Sequence, residues 1–406
     1  MKRLLRTALI FIIRLLGAAG VRATAQRARQ APPRKPRILL VRPGNLGDLV
    51  MTTPILHALK KQAPGAHIAM LVAPWSSEVV ERHPDVDEVL TCPFPSSRFT
   101  TRNIVKSYTL LLHTAKMLRR GNYDLAISLR ASFWWCAALI YLARIPRRVG
   151  YAVEYCTSFL SLALPHNPQE HSTSSCLRLV SAGLEALGYA PLKEPYTAWR
   201  YPLYFVPTAE EQEWVADRLR AEGIDAHASL IVIHPGTGAP VKLWRSEAWA
   251  ACATALTRAS SPTSPIHIVL TGSKDERPLL EEVARGASTR VTMITDASVG
   301  QLAALLRRAE LVLGVDSGPL HLAVAQGTPT VQIFGPTDPR NYGPWGEEGR
   351  HAVITSVYRC PSCPCIPCGR LQFSRRELPL HPCVRLVAQE EVLTEVFKLL
   401  RSRAVS

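Results

Sequence analysis

The chain has 406 residues, 47% hydrophobic and 20% charged, which is enough apolar material for two or three α/β domains. Its net charge is +16, and ten of those positive charges lie between Met1 and Arg37, where there is no acidic residue; about +6 is left for the remaining body. A basic tail on a near-ordinary body points to an anionic lipid surface, and the body has no aromatic-interleaved basic patch of the kind that binds nucleic acid. The ten cysteines are either scattered through core-like segments or clustered at 360–383, which excludes a secreted disulfide framework.

Residues 2–22 (KRLLRTALIFIIRLLGAAGVR) have no charge-free apolar run long enough to span a bilayer. On a helical wheel Lys2, Arg3, Arg6 and Arg14 share one side. Leu5, Ala8, Leu9, Ile12, Leu15 and Leu16 share the other, with Ile10 and Ile13 blurring the basic stripe. An in-plane membrane anchor fits this pattern. Ala23-Thr24-Ala25 raises the alternative of a signal peptide, against which Arg14 in the apolar stretch argues. The Arg- and Pro-rich stretch 26–35 reads as a linker, so residues 1–36 form a basic amphipathic extension.

Arg37 to Arg42 reads as a strand, the turn through Gly44, Asn45, Gly47 and Asp48 follows, and 49–62 reads as an amphipathic helix. The turn has neither the lysine of a Walker loop nor the spacing of a dinucleotide fingerprint. By itself Asp48 reads as a helix cap. Strands at 67–72, 88–92, 125–128 and 144–151 alternate with helical segments in a doubly wound α/β pattern. Asp85-Val86-Asp87 precedes a strand, the wrong end for a parallel-sheet site, and reads as surface. A helix at 172–188 and a proline-bearing linker at 189–207 close this half.

The pattern then restarts. Strands at 230–234, 266–271, 291–294, 311–314 and 328–334 alternate with helices at 210–222, 246–258, 278–285, 298–308 and 319–326. Three strand ends carry polar, glycine-bearing loops, at 235–242, 272–276 and 314–318. Such loops converge on one crevice in a parallel sheet, and the turn Asp316-Ser317-Gly318 before a helix suits a phosphate. The segment CPSCPCIPC (360–368) has metal-ligand composition, with Cys360, Cys363, Cys365 and Cys368 as candidate ligands and His381 and Cys383 beyond; free thiols are the alternative. A last amphipathic helix starts at 386.

Together, ILLVRPGNLGDLVMTTPIL, the His234-Pro235 loop with Lys242 and Trp244, and GVDSGPLHLAVAQGTPTVQIFGPTDP resemble glycosyltransferase family 9, the lipopolysaccharide heptosyltransferases. The resemblance runs from about Arg37 to the C-terminus. It implies a GT-B fold: an acceptor domain at 37–200, a nucleotide-sugar domain at 201–385, two Rossmann-like units facing a cleft, and a C-terminal helix at 386–406. It implies an inverting, metal-independent transfer, with ADP-heptose as donor and a glycolipid of the lipopolysaccharide core as acceptor. Asp48 matches the general base, near the acceptor loop Gly44, Asn45 and Gly47. Lys242, Asp316, Ser317, Gly318 and His321 match the diphosphate region, Thr237 and Gly238 the loop beside it, and Glu276 a ribose contact. The turn has Gly44-Asn45-Leu46 where the family often has a pair of serines before Gly47-Asp48, and the family's acceptor-side basic residues find no match here, which leaves the acceptor open. No cofactor is implied for the transfer, and a structural metal at the cysteines stays a possibility raised by their composition alone. A peripheral enzyme at the cytoplasmic face of the inner membrane is expected. A sugar-nucleotide epimerase of the same architecture and a non-catalytic nucleotide-binding module are the alternative readings.

Overall fold

The computed structural model describes residues 2–29, 35–95, 104–260 and 265–405. The chain divides into two compact units, Met1–Tyr196 and Thr197–Ser406.

Among the described residues, each unit holds a six-stranded parallel sheet. The first contains β1 (Arg37–Arg42), β2 (His67–Val72), β3 (Glu88–Thr91), β4 (Leu125–Ser128), β5 (Arg147–Tyr151) and β6 (Leu162–Leu164) in the spatial order β3-β2-β1-β4-β5-β6. The second contains β7 (Ser229–His234), β8 (Ile266–Thr271), β9 (Val291–Ile294), β10 (Leu311–Val315), β11 (Thr330–Phe334) and β12 (His351–Thr355) in the order β12-β11-β10-β7-β8-β9. Counted within each unit and read from the appropriate edge, both orders are 3-2-1-4-5-6. The central strands are buried apolar runs, as expected where helices cover both faces of a parallel sheet: Ile38, Leu39, Leu40 and Val41 in β1, and Leu230 to Ile233 in β7, are inaccessible to solvent. The topology reverses direction between β1 and β4 and again between β7 and β10. Ligands of doubly wound sheets bind at such switch points, beyond the carboxyl ends of the strands.

The chain departs locally from the sequence reading. The expected helix 49–62 is two helices, Leu46–Val50 and Pro54–Gln62. Thr52 and Thr53 turn their hydroxyls back on the Asp48 and Val50 carbonyls at 2.7 Å each, and Pro54 has no N–H with which to continue the ladder. Strands β6 and β12 are short edge strands that the sequence reading passed over.

The N-terminal helix, Lys2–Arg29, is seated differently from the wheel reading. Ile10 and Ile13 are buried in the core of the first unit, whereas Phe11, Ile12 and Leu15 are 60%, 50% and 60% exposed. Gly17 lies against the Tyr141 ring, leaving no room for a Cβ, and Tyr141 donates its hydroxyl to the Arg14 carbonyl at 2.9 Å. Positions 10, 13, 17 and 20 recur at helical spacing, so they form the stripe that faces helix Trp134–Leu142. The outward face therefore mixes Phe11, Ile12 and Leu15 with exposed Arg14 and Arg22. The side chains of residues 2–9, of Leu16, of Ala25 and of 27–29, and the whole of 30–34, lie outside the described residues, and with them the expected grouping of Lys2, Arg3 and Arg6. Among the described residues no helix is long and apolar enough to cross a membrane.

The Asp85/Asp87 pair is structural. Asp87 accepts the Ile68 backbone N–H at 2.8 Å at the start of β2 and pairs with Lys60 at 2.9 Å, while Asp85 meets His57 at 3.1 Å.

Candidate active site

In the first unit the turn after β1 carries Asp48 to the carboxyl edge of the sheet, at its switch point. Asp48 Oδ2 accepts the Asn45 backbone N–H at 3.0 Å, a reciprocal cap on the short helix that follows. Its Oδ1 accepts from Arg42 Nη2 at 3.2 Å. Arg42 is 5% exposed and is itself fixed by the Leu129 carbonyl at 2.9 Å and by Ser172 Oγ at 3.2 Å. The Asp48 side chain stays 34% exposed, so a carboxylate oriented from behind still faces solvent. Gly44 makes this possible: a Cβ there would stand 2.5 Å from Asp48 Cβ and 2.9 Å from Oδ2. Asn45 and Gly47 complete the turn, and Ser76 Oγ donates to the Gly44 carbonyl at 3.1 Å.

The second unit gathers a larger group at the matching place, where the loops after β7, β8 and β10 meet. Lys242 Nζ donates to the Asp316 carbonyl at 2.7 Å and to its Oδ2 at 3.0 Å. Thr337 Oγ1 donates to the same Oδ2 at 2.6 Å, and His321 Nε2 stands 3.9 Å from Oδ1. The Asp316 and Lys242 side chains are only 7% and 13% exposed. Burying this ion pair is tolerable because the carboxylate also has a hydroxyl partner. Asp316 thus serves as the post that aims Lys242.

Two hydroxyls of the loops after β7 and β10, Thr237 Oγ1 and Ser317 Oγ, are buried with no hydrogen-bond partner among the described residues. Ser317 precedes the helix Gly318–Ala325, whose first-turn Pro319 forgoes no needed donor, so the amino end of that helix is open to an anion. Glu276 Oε2 accepts from the Ser273 backbone N–H at 2.8 Å and from its hydroxyl at 3.0 Å, and the carboxylate packs against Gly236. Gly238 is exposed with open space over it. Beneath the loop, buried His234 bonds Thr271 Oγ1 at 3.0 Å. Burial pushes its pKa down and the charge of Glu276 opposes this, so the ring supports the loop as a neutral group.

The structure therefore gathers Thr237, Lys242, Glu276, Asp316, Ser317, Gly318 and His321 at one sheet edge, with Gly238 on the rim. It adds two residues to which the sequence reading gave no role. Thr337 sits in the GPTDP stretch that follows β11, and Arg42 is the last residue of β1.

The cysteine segment is only partly as expected. One ligand atom each from Cys360, Cys363 and His381 lies within 4.8 Å of the others. Cys365 does not join them: it is exposed and donates to the Pro367 carbonyl at 3.3 Å.

Twin Rossmann-like units of matched strand order, with anion-suited donors at the sheet edge of the second and an oriented carboxylate in the first, are the architecture of a glycosyltransferase of the GT-B type. The family model for glycosyltransferase family 9 (heptosyltransferase) matches residues 111–365, more than half of the chain, and the protein belongs to that family. It is 27% identical over 308 residues to lipopolysaccharide heptosyltransferase 3 of Escherichia coli K12, covering 74% of this chain and 83% of the relative. The glycosyl transferase family 9 structure from Veillonella parvula superposes with a TM-score of 0.72 at 21% identity, covering 92% of this chain and all of that one. The E. coli ADP-heptose lps heptosyltransferase II structure gives 0.67 at 19%, covering 91% and 99%.

Proposed function

We propose that the protein is an inverting heptosyltransferase that moves heptose from ADP-heptose to a hydroxyl of a lipopolysaccharide-core or related glycolipid acceptor. The observation that carries this reading is the Lys242–Asp316–Thr337 arrangement flanked by two buried hydroxyls without partners. An ammonium has three protons and Asp316 takes two of them, which leaves one for a phosphate oxygen. Thr237 and Ser317 hydroxyls and the amino end of helix Gly318–Ala325 supply further donors. These are the groups that stabilise a departing nucleoside diphosphate, whose negative charge grows as the glycosidic bond breaks. His321 steadies the turn through Asp316, Gly238 leaves room over the phosphates, and Glu276 contacts the ribose.

Asp48 is the general base. The acceptor oxygen attacks the anomeric carbon from the face opposite the diphosphate, the carbon–oxygen bond to ADP breaks, and Asp48 takes the acceptor proton. Arg42 and the Asn45 N–H orient the carboxylate for this, and the Gly44, Asn45 and Gly47 turn borders the acceptor. Lys242 and the helix end carry the charge of the leaving group, so the transfer step uses no metal ion. Adenine as the base rests on likeness to a solved relative described as an ADP-heptose enzyme.

The outward face of the N-terminal helix, with Phe11, Ile12 and Leu15 beside Arg14 and Arg22, suits the anionic cytoplasmic surface of the membrane on which such an acceptor is presented. Calorimetric titration with ADP, UDP and GDP tests the donor assignment. ADP should bind best and lose at least about tenfold in affinity in Lys242→Ala. A preference for UDP or GDP, or binding indifferent to Lys242, would contradict it.

A further inference from the structure

The cysteine-rich segment has no strand and only two short 3-10 turns between Thr355 and Gln389, yet it converges on a compact knot. Cys360 and His381 are 3% and 4% exposed. Cys363 closes a turn on Cys360, its N–H donating to the Cys360 carbonyl at 2.9 Å, and its Sγ lies 3.4 Å from His381 Nδ1. Ser362 Oγ stands 3.4 Å from the other ring nitrogen, and the Phe373 ring stacks on the imidazole at 3.8 Å. Cys368 neighbours Cys363, and Cys383 neighbours Cys360; all four thiols are free of disulfides. A bound cation deprotonates the thiols that coordinate it.

We propose that Cys360, Cys363 and His381, completed by a flanking thiolate from Cys368 or Cys383, hold one thiophilic divalent cation of the zinc or iron class. Sulfur-rich tetrahedral sets select these ions, and the Ser362 hydroxyl can accept from the far ring nitrogen, where a histidine ligand needs an outer partner. The ion's task is structural and is directed at the donor loops, a point that rests on the donor assignment above. Cys383 Sγ would stand 3.3 Å from a Cβ on Gly335, and the Gly369 N–H donates to the Pro336 carbonyl at 2.7 Å. Both contacts brace the turn that carries Thr337 to Asp316. Just beyond the knot, the Val387 carbonyl accepts from Trp244 Nε1 at 3.0 Å, two residues from Lys242. The knot therefore backs both partners of the Lys242–Asp316 pair.

The test is elemental analysis of the full chain, purified without chelator or a histidine tag, alongside Cys360→Ser, Cys363→Ser and Cys365→Ser. The expected result is about one zinc or iron per chain in the wild type and in Cys365→Ser, and loss of the ion in the other two. Visible absorption separates iron from zinc. If the serine variants do not fold, titrating chelator-treated wild type with Co2+ gives the second readout, with thiolate-to-cobalt absorption at one equivalent. Chelation should also lower Tm and weaken ADP binding about tenfold in protein that remains folded. Wild type that neither carries nor takes up an ion, or a Cys365→Ser variant that loses it as readily as Cys363→Ser, would overturn the site. Loss of the ion with ADP affinity unchanged would overturn the bracing role. If no form of the protein binds ADP, the donor assignment fails while the metal count still decides the site.

Discussion

Arg42 holds Asp48 from behind: its buried guanidinium donates to one carboxylate oxygen at 3.2 Å, while the Asn45 N–H takes the other at 3.0 Å. If Asp48 is the base proposed above, it is aimed before the substrate arrives. Arg42→Met should lower kcat about tenfold or more with little change in donor affinity. It should also cost about 1–3 kcal/mol of stability, because Ser172 and the Leu129 carbonyl lose a buried partner. Steady-state kinetics with a donor titration on the same preparation separates the two effects.

Gly44 tests the same geometry sterically. Gly44→Ala introduces a methyl 2.5 Å from Asp48 Cβ, so the carboxylate must move by a sizeable fraction of an ångström. Turnover should fall by about a hundredfold. A variant with wild-type kcat would show that the position of Asp48 does not matter to the chemistry.

In the second unit, Thr337→Val removes the hydroxyl from which Asp316 accepts at 2.6 Å and leaves the Lys242 pair in place. ADP affinity should drop about tenfold or more, the value of one hydrogen bond to a charged group, with kcat less affected. Calorimetry on the purified variant checks this.

The two faces of the N-terminal helix should respond differently to the same change. Ile13→Glu buries a charge against helix Trp134–Leu142 and should lower Tm by several degrees. Leu15→Glu, on the exposed face, should leave Tm unchanged while weakening co-sedimentation with anionic vesicles. Equal effects on Tm would contradict the seating described.

Acid sensitivity has a specific source. His83 is buried, accepts the Asp85 N–H on Nδ1 at 3.2 Å, and is lowered to about 4, chiefly by burial. Below its ordinary pKa of about 6.5 the unfolded chain takes up a proton that the folded chain refuses until about pH 4. Stability from this group is therefore full above pH 6.5 and is lost as pH falls toward 4, by up to about 3 kcal/mol. His83→Asn, which keeps an acceptor near the Nδ1 position, should make that limb shallower in denaturant melts at pH 7, 6 and 5, the remainder coming in part from His351, which burial likewise lowers to about 4.

Much of the fold was legible because buried parallel strands are short apolar runs bounded by glycine and proline, as in β1, β7 and β10. Helix Trp134–Leu142 is buried all round and has no polar face to betray its period, and β12 is an edge strand with only alternate residues buried. The loops at the carboxyl ends of β7, β8 and β10 stood out by composition. Which residues touch did not, since Lys242 and Asp316 are 74 residues apart and Arg42 and Ser172 are 130 apart. Within CPSCPCIPC nothing in the sequence separates Cys365 from its neighbours; only the path of the chain turns it outward. On the N-terminal helix, Ile10 and Ile13 looked like noise on a basic stripe until helix Trp134–Leu142 supplied the surface they pack on.

The most direct test of the account is single-turnover transfer by Asp48→Asn with ADP-heptose and a heptose-deficient lipopolysaccharide acceptor, read beside calorimetric binding of ADP. The account predicts that transfer falls by at least about a hundredfold while ADP affinity stays within about twofold of wild type. Transfer at the wild-type rate would remove Asp48 from the chemistry and contradict the mechanism.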